Sequence, residues 1–247
     1  ELYGFEADPE TEITVTAGGT EALFCAIQAL VRAGDEVILL DPAYDSYEPA
    51  VTLAGGVAVH VALQRPHFGI DWQRLADAIT PRTRLLILNF PHNPSGAILQ
   101  VADLEQLASL LRDTRVFVLA DEVYGHMVYD GQAHHSLLTH AELAARSVVV
   151  SSFGKTLHAT GWKVGCCVAP PALTQELRKV HQFVQFVVAT PLQAAIADFM
   201  LECPQHVLGL PAFYQRKRDH FGSLLARTRF RFTPTRSTYF QLVDYSA

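Results

Sequence analysis

Ser151-Ser152-Phe153-Gly154-Lys155-Thr156, followed shortly by Thr160-Gly161-Trp162-Lys163-Val164-Gly165, is the stretch on which the reading of this chain turns. It sets one lysine behind a Ser-x-Gly turn and a second lysine just downstream. Gly154 lets the backbone turn sharply, and Ser151 and Ser152 bring hydroxyls beside the amine. A lysine presented at the end of a strand in this way can act as a Schiff-base amine, and hydroxyls with a second cation can hold a phosphate. Two plainer readings compete. Most lysines are solvated surface groups. Gly154-Lys155-Thr156 also ends like a nucleotide P-loop, but that motif needs a glycine where Val149 stands. The P-loop reading therefore fails. No G-x-G-x-x-G occurs in the chain, so a dinucleotide site has no support.

Upstream, polar residues follow apolar runs at two further places. Residues 85–88 form a near-continuous apolar run, as in a strand buried on both faces, and Asn93-Pro94-Ser95-Gly96 comes soon after it. A lone Asn-Pro-x-Gly is a common turn. Its place beyond a buried strand is what makes it informative. Residues 116–120 are a second apolar strand, closed by Asp121-Glu122-Val123-Tyr124. Ligands in open α/β sheets bind at the carboxyl ends of strands. A helix N-cap is the competing reading for Asp121. Near the start, residues 13–16 are a β-branched run, and Gly18-Gly19-Thr20-Glu21 then opens a helix. The free N–H groups of such a helix start bind anions without help from positive side chains.

Strand and helix patterns alternate over most of the chain. Strands are expected at 13–16, 36–40, 57–62, 85–88, 116–120, 148–150 and 164–168. Helices are expected at 22–31, 47–53, 72–79 and 104–111. The alternation predicts an α/β fold, a mostly parallel sheet with helices on both faces. After Pro170-Pro171 the pattern turns helical, at 175–188, 192–201 and 212–226, and two strand-like runs follow at 230–233 and 239–243. The expected organisation is a large domain over residues 1–205. Residues 206–247 then supply a bridging helix and the start of a smaller α+β domain. Glu1-Leu2-Tyr3-Gly4 lacks a methionine, and Asp244-Tyr245-Ser246-Ala247 stops just after a strand-like run. A piece of a longer protein is the expectation from those ends.

Composition narrows the function classes. The 247 residues are 49% hydrophobic and 18% charged, with a net charge of −6. A chain of that balance has a sizeable core and no global basic field to attract nucleic acid or anionic lipid. Arg227, Arg229, Arg231 and Arg236 make only a local patch. The most apolar long window, 183–201, is broken by Gln185, Pro191, Gln193 and Asp198, which reads as buried helices and not a membrane span. Cys25, Cys166, Cys167 and Cys203 form no C-x-x-C, and no histidine pair has zinc-helix spacing. Free thiols and a cytoplasmic location are expected, with no metal. His158, between the two lysines, receives no role.

In this order, the anion-binding helix start, the aromatic in Asp41-Pro42-Ala43-Tyr44, Asn-Pro-x-Gly, Asp-x-x-Tyr, Ser-x-Gly-Lys and the second lysine resemble a pyridoxal-phosphate (PLP) enzyme of the aspartate aminotransferase fold, fold type I. Within it the methionine aminotransferase and kynurenine aminotransferase group is the most similar. The resemblance implies that Lys155 carries the cofactor as a Schiff base and that Asp121 keeps the pyridine nitrogen protonated. It implies that Tyr124 and Asn93 hydrogen-bond the phenolic oxygen and that Tyr44 stacks on the ring. The phosphate is assigned to Gly19, Thr20 and Glu21, completed by Ser152 and Lys163. The implied reaction is transamination of a methionine, aromatic, glutamine or kynurenine type of amino acid with a 2-oxo acid, in a homodimer. The family's substrate-carboxylate arginine, and a tyrosine that reaches the neighbouring subunit's phosphate, fall outside these residues. Two rivals share the scaffold: a carbon–sulfur β-lyase, and a ligand-sensing domain of a transcription regulator.

Overall fold

Seven strands, nine α-helices and two short 3-10 helices (Leu137–Thr139 and Thr160–Trp162) make up the regular structure of residues 4–246, the part of the chain that this computed structural model describes. Glu1, Leu2, Tyr3 and Ala247, which belong to the ends noted above, lie outside the described residues. In chain order the elements are β1 (Ile13–Thr16), α1 (Gly18–Leu30), β2 (Glu36–Asp41), α2 (Tyr47–Leu53), β3 (Val57–Ala62), α3 (Trp72–Ala78), β4 (Thr83–Asn89), α4 (Val101–Leu111), β5 (Phe117–Asp121), α5 (Ala141–Ala144), β6 (Ser147–Ser152), α6 (Phe153–Thr156), β7 (Gly165–Val168), α7 (Pro171–Val184), α8 (Thr190–Glu202) and α9 (Pro204–Leu225).

The strands form one sheet in the order β1-β7-β6-β5-β4-β2-β3. All neighbours are parallel except at β7, which runs antiparallel to both β1 and β6. The chain is thus the α/β fold that the alternation predicts. Side chains alternate across each strand. In β2, Val37 and Leu39 join a core with Ala22, Ala26 and Ile27 of α1, Val51 of α2 and Leu177 of α7. Ile38 and Leu40 face the other way, to Leu75 of α3, Leu104 and Leu107 of α4 and Leu143 of α5. Leu85, Leu86, Ile87 and Leu88 in β4 are at most 1% exposed, and such residues contribute ~1.5–3 kcal/mol each. A strand covered on both faces reads as an unbroken apolar run for this reason.

Several boundaries differ from the sequence expectation. Helix α4 starts earlier, at Val101, because Gln100 and Asp103 form a capping box. Lys155 sits in the one-turn helix α6 and not on an open turn. Helix α9 begins at Pro204 and runs through Pro211 to Leu225, and α7 ends at Val184. The strands expected at 230–233 and 239–243 do not form. That region has only isolated bridges, Arg231 with Asp244 and Val128 with Ser237. A strand-like pattern needs a paired edge, and no further strand lies beside this segment among the described residues.

Candidate functional site

The carboxyl ends of β4, β5 and β6 line up because the register pairs Asn89 with Asp121 and Asp121 with Val150. Antiparallel β7 presents its first residue, Gly165, to the same end, opposite both Thr16 of β1 and Ser152 of β6. A Cβ on Gly165 would lie 2.7 Å from Ser151 O and 2.8–2.9 Å from Gly18 C and Gly19 N. Only glycine permits this approach. The start of α1 and the lysine-bearing turn after β6 therefore meet, although they are far apart in sequence.

They enclose a cavity of about 180 Å³ lined by Gly18, Gly19, Thr20, Tyr44, Asn93, Asp121, Tyr124, Ser152, Lys155 and Lys163, among others. Nine of the ten expected cofactor residues thus share one cavity: Glu21 is the exception. Its carboxylate turns back, accepting the Ala17 N–H at 2.9 Å, the Cys25 thiol at 2.7 Å and a 3.0 Å contact with His181 Nδ1. It caps its own helix, and as the fourth helical residue it has no free N–H to offer an anion. Residues 18–20 do. Gly18 adopts φ +79°, and a Cβ there would press within 3.4 Å of Lys163 Nζ. Lys163 itself has φ +51°, and its ammonium lies beside the positive end of α1. No carboxylate pairs with Lys163 or Lys155 among the described residues. A cation at a helix N-terminus without a partner is the electrostatics of an anion site.

Asp121 is 4% exposed. Burial lifts its carboxyl from an ordinary 3.8 to about 6, against hydrogen bonds from the Tyr47 hydroxyl at 2.6 Å and the Val123 N–H. No helix follows β5, so Asp121 caps no helix; the chain turns instead. Tyr47 is a site residue that the sequence reading gave only to a helix. Its phenol is held well above its usual value, first by burial and then by the Asp121 charge. Asn89 is another. Its amide donates to Asp121 O at 3.2 Å, and its carbonyl accepts the Asn93 N–H at 2.9 Å, tying the Asn-Pro turn to β5. No local pattern marks either residue. Their roles arise from where α2 and the end of β4 place them against β5.

The Asn93 turn is locked from its other side by His92, which burial depresses to about 4. A neutral ring fits both contacts: Nε2–H donates to Pro42 O at 3.0 Å, and Nδ1 accepts from the Ser95 hydroxyl at 2.6 Å. Tyr44 meets Tyr47 edge-on at 5.6 Å and walls the cavity. Lys155 Nζ lies 5.9 Å from the ring centroid of Tyr124 and 5.8 Å from that of Tyr239. His158, Tyr214 and Tyr239 line an adjoining, more open space beside Lys155. Tyr239 was absent from the sequence expectation because its neighbourhood read as a strand of the smaller domain.

Known proteins resemble the chain over its whole length. Methionine aminotransferase of Escherichia coli is 53% identical across the full chain and 64% of its own length. Kynurenine–oxoglutarate transaminase 1 of Rattus norvegicus is 38% identical over 99% of the chain and 62% of its own. The chain therefore spans a little under two thirds of these relatives. Among solved structures, YbdL of Escherichia coli, described with a methionine aminotransferase function, superposes with a TM-score of 0.97 at 53% identity, over 99% of this chain and 65% of that one. A mutant aspartate aminotransferase of Thermus thermophilus gives 0.91 at 32%, over 98% and 64%. The profile of aminotransferase class I and II matches residues 1–247, and the chain belongs to that family.

Proposed function

We propose that this chain is the cofactor-binding part of a pyridoxal-phosphate-dependent aminotransferase. The observation that carries the reading is the convergence of one lysine amine, one buried carboxylate and one anion cradle on a single cavity. The donor set fits the cofactor at three points. Asp121 is a buried carboxylate whose charge is disfavoured until a cation, such as a pyridinium, faces it. Gly18, Gly19, Thr20, Ser152 and Lys163 would hold the phosphate. Asn93 and Tyr124 offer donors to the phenolic oxygen, and the Tyr44 ring offers a stacking face.

When bound, pyridoxal phosphate supplies an electron sink for the amino acid's α-carbon bonds. The chain supplies the rest. Lys155 Nζ would be the attachment point and, once freed, the base that carries a proton between the substrate's α-carbon and the carbon on the other side of the imine nitrogen. Asp121 would keep the ring nitrogen protonated. The walls of β4, β5 and β6 keep the reacting groups aligned, and misalignment of about 1 Å can cost about 100-fold.

The substrates we infer are a methionine, aromatic, glutamine or kynurenine type of amino acid and a 2-oxo acid. The relatives' names support this class. A homodimer is supported by exposed apolar side chains on α7, α8 and the segment between them, including Phe183, Phe186 and Leu201. We also propose the division at residue 205 and a cytoplasmic location. Four free cysteines support the latter. No helix is long and apolar enough to cross a membrane among the described residues.

The test is an amino-donor screen of the intact protein with a 2-oxo acid acceptor. Consumption of both substrates in equal amounts, with a visible cofactor band that Lys155→Ala abolishes, is the expected result. Pyruvate and a thiol released from a cysteine conjugate without any acceptor would favour the β-lyase. Turnover retained in Lys155→Ala would overturn the reading.

A further inference from the structure

The segment after α9 contributes a side chain to the lysine site. Residues 235–238 are wedged between the Asn93 turn and the loop after β5. The Ser237 hydroxyl donates to Gly96 O at 2.9 Å, the Thr238 N–H donates to Met127 O at 2.9 Å, and the Tyr129 N–H donates to Arg236 O at 2.9 Å. The Tyr129 hydroxyl also donates to Thr238 O. Ser237 and Thr238 are at most 1% exposed, and Thr238 holds φ +63°. The backbone is thus fixed on both sides immediately before Tyr239.

From that anchor Tyr239 turns toward the cavity. Its ring meets Tyr124 edge-on at 5.3 Å and 88°, and Phe240 flanks Tyr124 from a second side at 5.9 Å. The two tyrosine hydroxyls lie 3.4 Å apart. That is long for a hydroxyl pair, but catalytic hydrogen bonds often tighten only once the site is loaded. Lys155 Nζ sits nearly equidistant from the two rings. The two perpendicular rings flank the amine, each within cation–π reach of it.

We propose that Tyr239 is a positioning residue for the transamination site. It holds the Tyr124 phenol and the Lys155 amine in register, and its hydroxyl donates to Tyr124 Oη so that the Tyr124 proton faces the cavity. A hydroxyl that accepts a hydrogen bond becomes the better donor of its own proton, because the chain of dipoles polarises it. Tyr124 therefore stabilises negative charge at its partner oxygen more strongly with Tyr239 in place. This assignment rests on the functional reading above, and it goes further by giving the segment beyond α9 a part in the chemistry.

The experiment compares the intact enzyme with Tyr239→Phe, which keeps the ring and removes the hydroxyl. Three quantities are read: the pH midpoint of the cofactor's absorbance change, kcat and KM separately, and the melting temperature. Loss of one such hydrogen bond should lower kcat about fivefold with KM nearly unchanged. The spectral midpoint should rise by about 0.5–1 pH unit, because a weaker donor leaves more electron density on the cofactor. The melting temperature should hold, since Tyr239 is half-exposed and the variant keeps its ring. Wild type with a normal band and turnover, but a Tyr239→Phe variant of identical midpoint and kcat, would overturn the Tyr239 assignment alone. A variant that melts lower and loses kcat without moving the midpoint would reduce Tyr239 to a packing role, and overturns it too. A wild type that shows no cofactor band at all removes the functional reading and this assignment together.

Discussion

Replacing Asp121 by asparagine should stabilise the cofactor-free protein while disabling the loaded one. Burial raises the folded-state carboxyl to about 6 from 3.8, which corresponds to ~3 kcal/mol of penalty for holding the charge at neutral pH. The sign follows from linkage. A raised folded value means that the native state binds the proton more tightly than the unfolded chain, so stability is full below 3.8 and falls as pH rises through about 6. Asparagine removes the charge but weakens the 2.6 Å hydrogen bond from Tyr47, at a loss of ~1 kcal/mol. The net gain at pH ~8 is therefore ~2 kcal/mol, or a rise of about 4–8 °C in melting temperature for a chain of this size. Near pH 4 the gain should vanish. The loaded enzyme should respond in the opposite sense. Losing one partner of a buried charge pair costs ~3–5 kcal/mol, so cofactor affinity or turnover should fall by about 100-fold or more. The assay is paired: melting curves of the empty proteins between pH 4 and 8, and turnover of the loaded ones. An Asp121→Asn protein that melts lower than wild type at pH 8, or that turns over near the wild-type rate, would refute the assignment of Asp121 as the buried counter-ion.

Three other outcomes follow from the same geometry. Lys155→Arg should bring turnover to background while the melting temperature of the empty protein moves little, because Lys155 makes no ion pair with a described residue; circular dichroism and a single-turnover assay read both sides. Lys163→Ala should weaken cofactor binding by about 10- to 100-fold, the value of a hydrogen bond to a charged group, with phosphate-free pyridoxal affected far less; equilibrium titration of the two compounds separates the cases. Gly165→Ala should destabilise the fold by ~1–3 kcal/mol, since its Cβ would meet Ser151 O at 2.7 Å with backbone on every side; denaturant melts decide it, and an unchanged midpoint would show that β7 can shift.

The chain's local chemistry determined much of this protein. Apolar runs at 37–40, 85–88 and 117–120 are strands covered on both faces, and hydrophobicity there leaves no other solution. The short polar motifs that follow each run land at carboxyl ends of strands because a parallel sheet puts all those ends on one side. That is why Asn93, Asp121, Tyr124, Ser152 and Lys155 are legible from their order in the sequence and share one cavity. Glu21 was misread for a related reason. Sequence marks a helix start, but only the fold shows that its side chain turns back to Ala17, Cys25 and His181.

Tertiary structure decided what depends on register and on distant neighbours. Tyr47 reaches Asp121, and Asn89 links Asp121 to Asn93, through strand and helix placements that no local pattern encodes. The close approach of Gly165 to the start of α1 depends on β7 running antiparallel between β1 and β6. The segment at 239–243 has the composition of a strand, yet it lacks a paired edge and is held by backbone hydrogen bonds at 236–238 instead. Its Tyr239 meets Lys155 only because the segment is anchored against the Asn93 turn and the loop after β5. Periodicity reports which face a residue buries. Which residue it meets there is set by the packing of elements far apart in the chain.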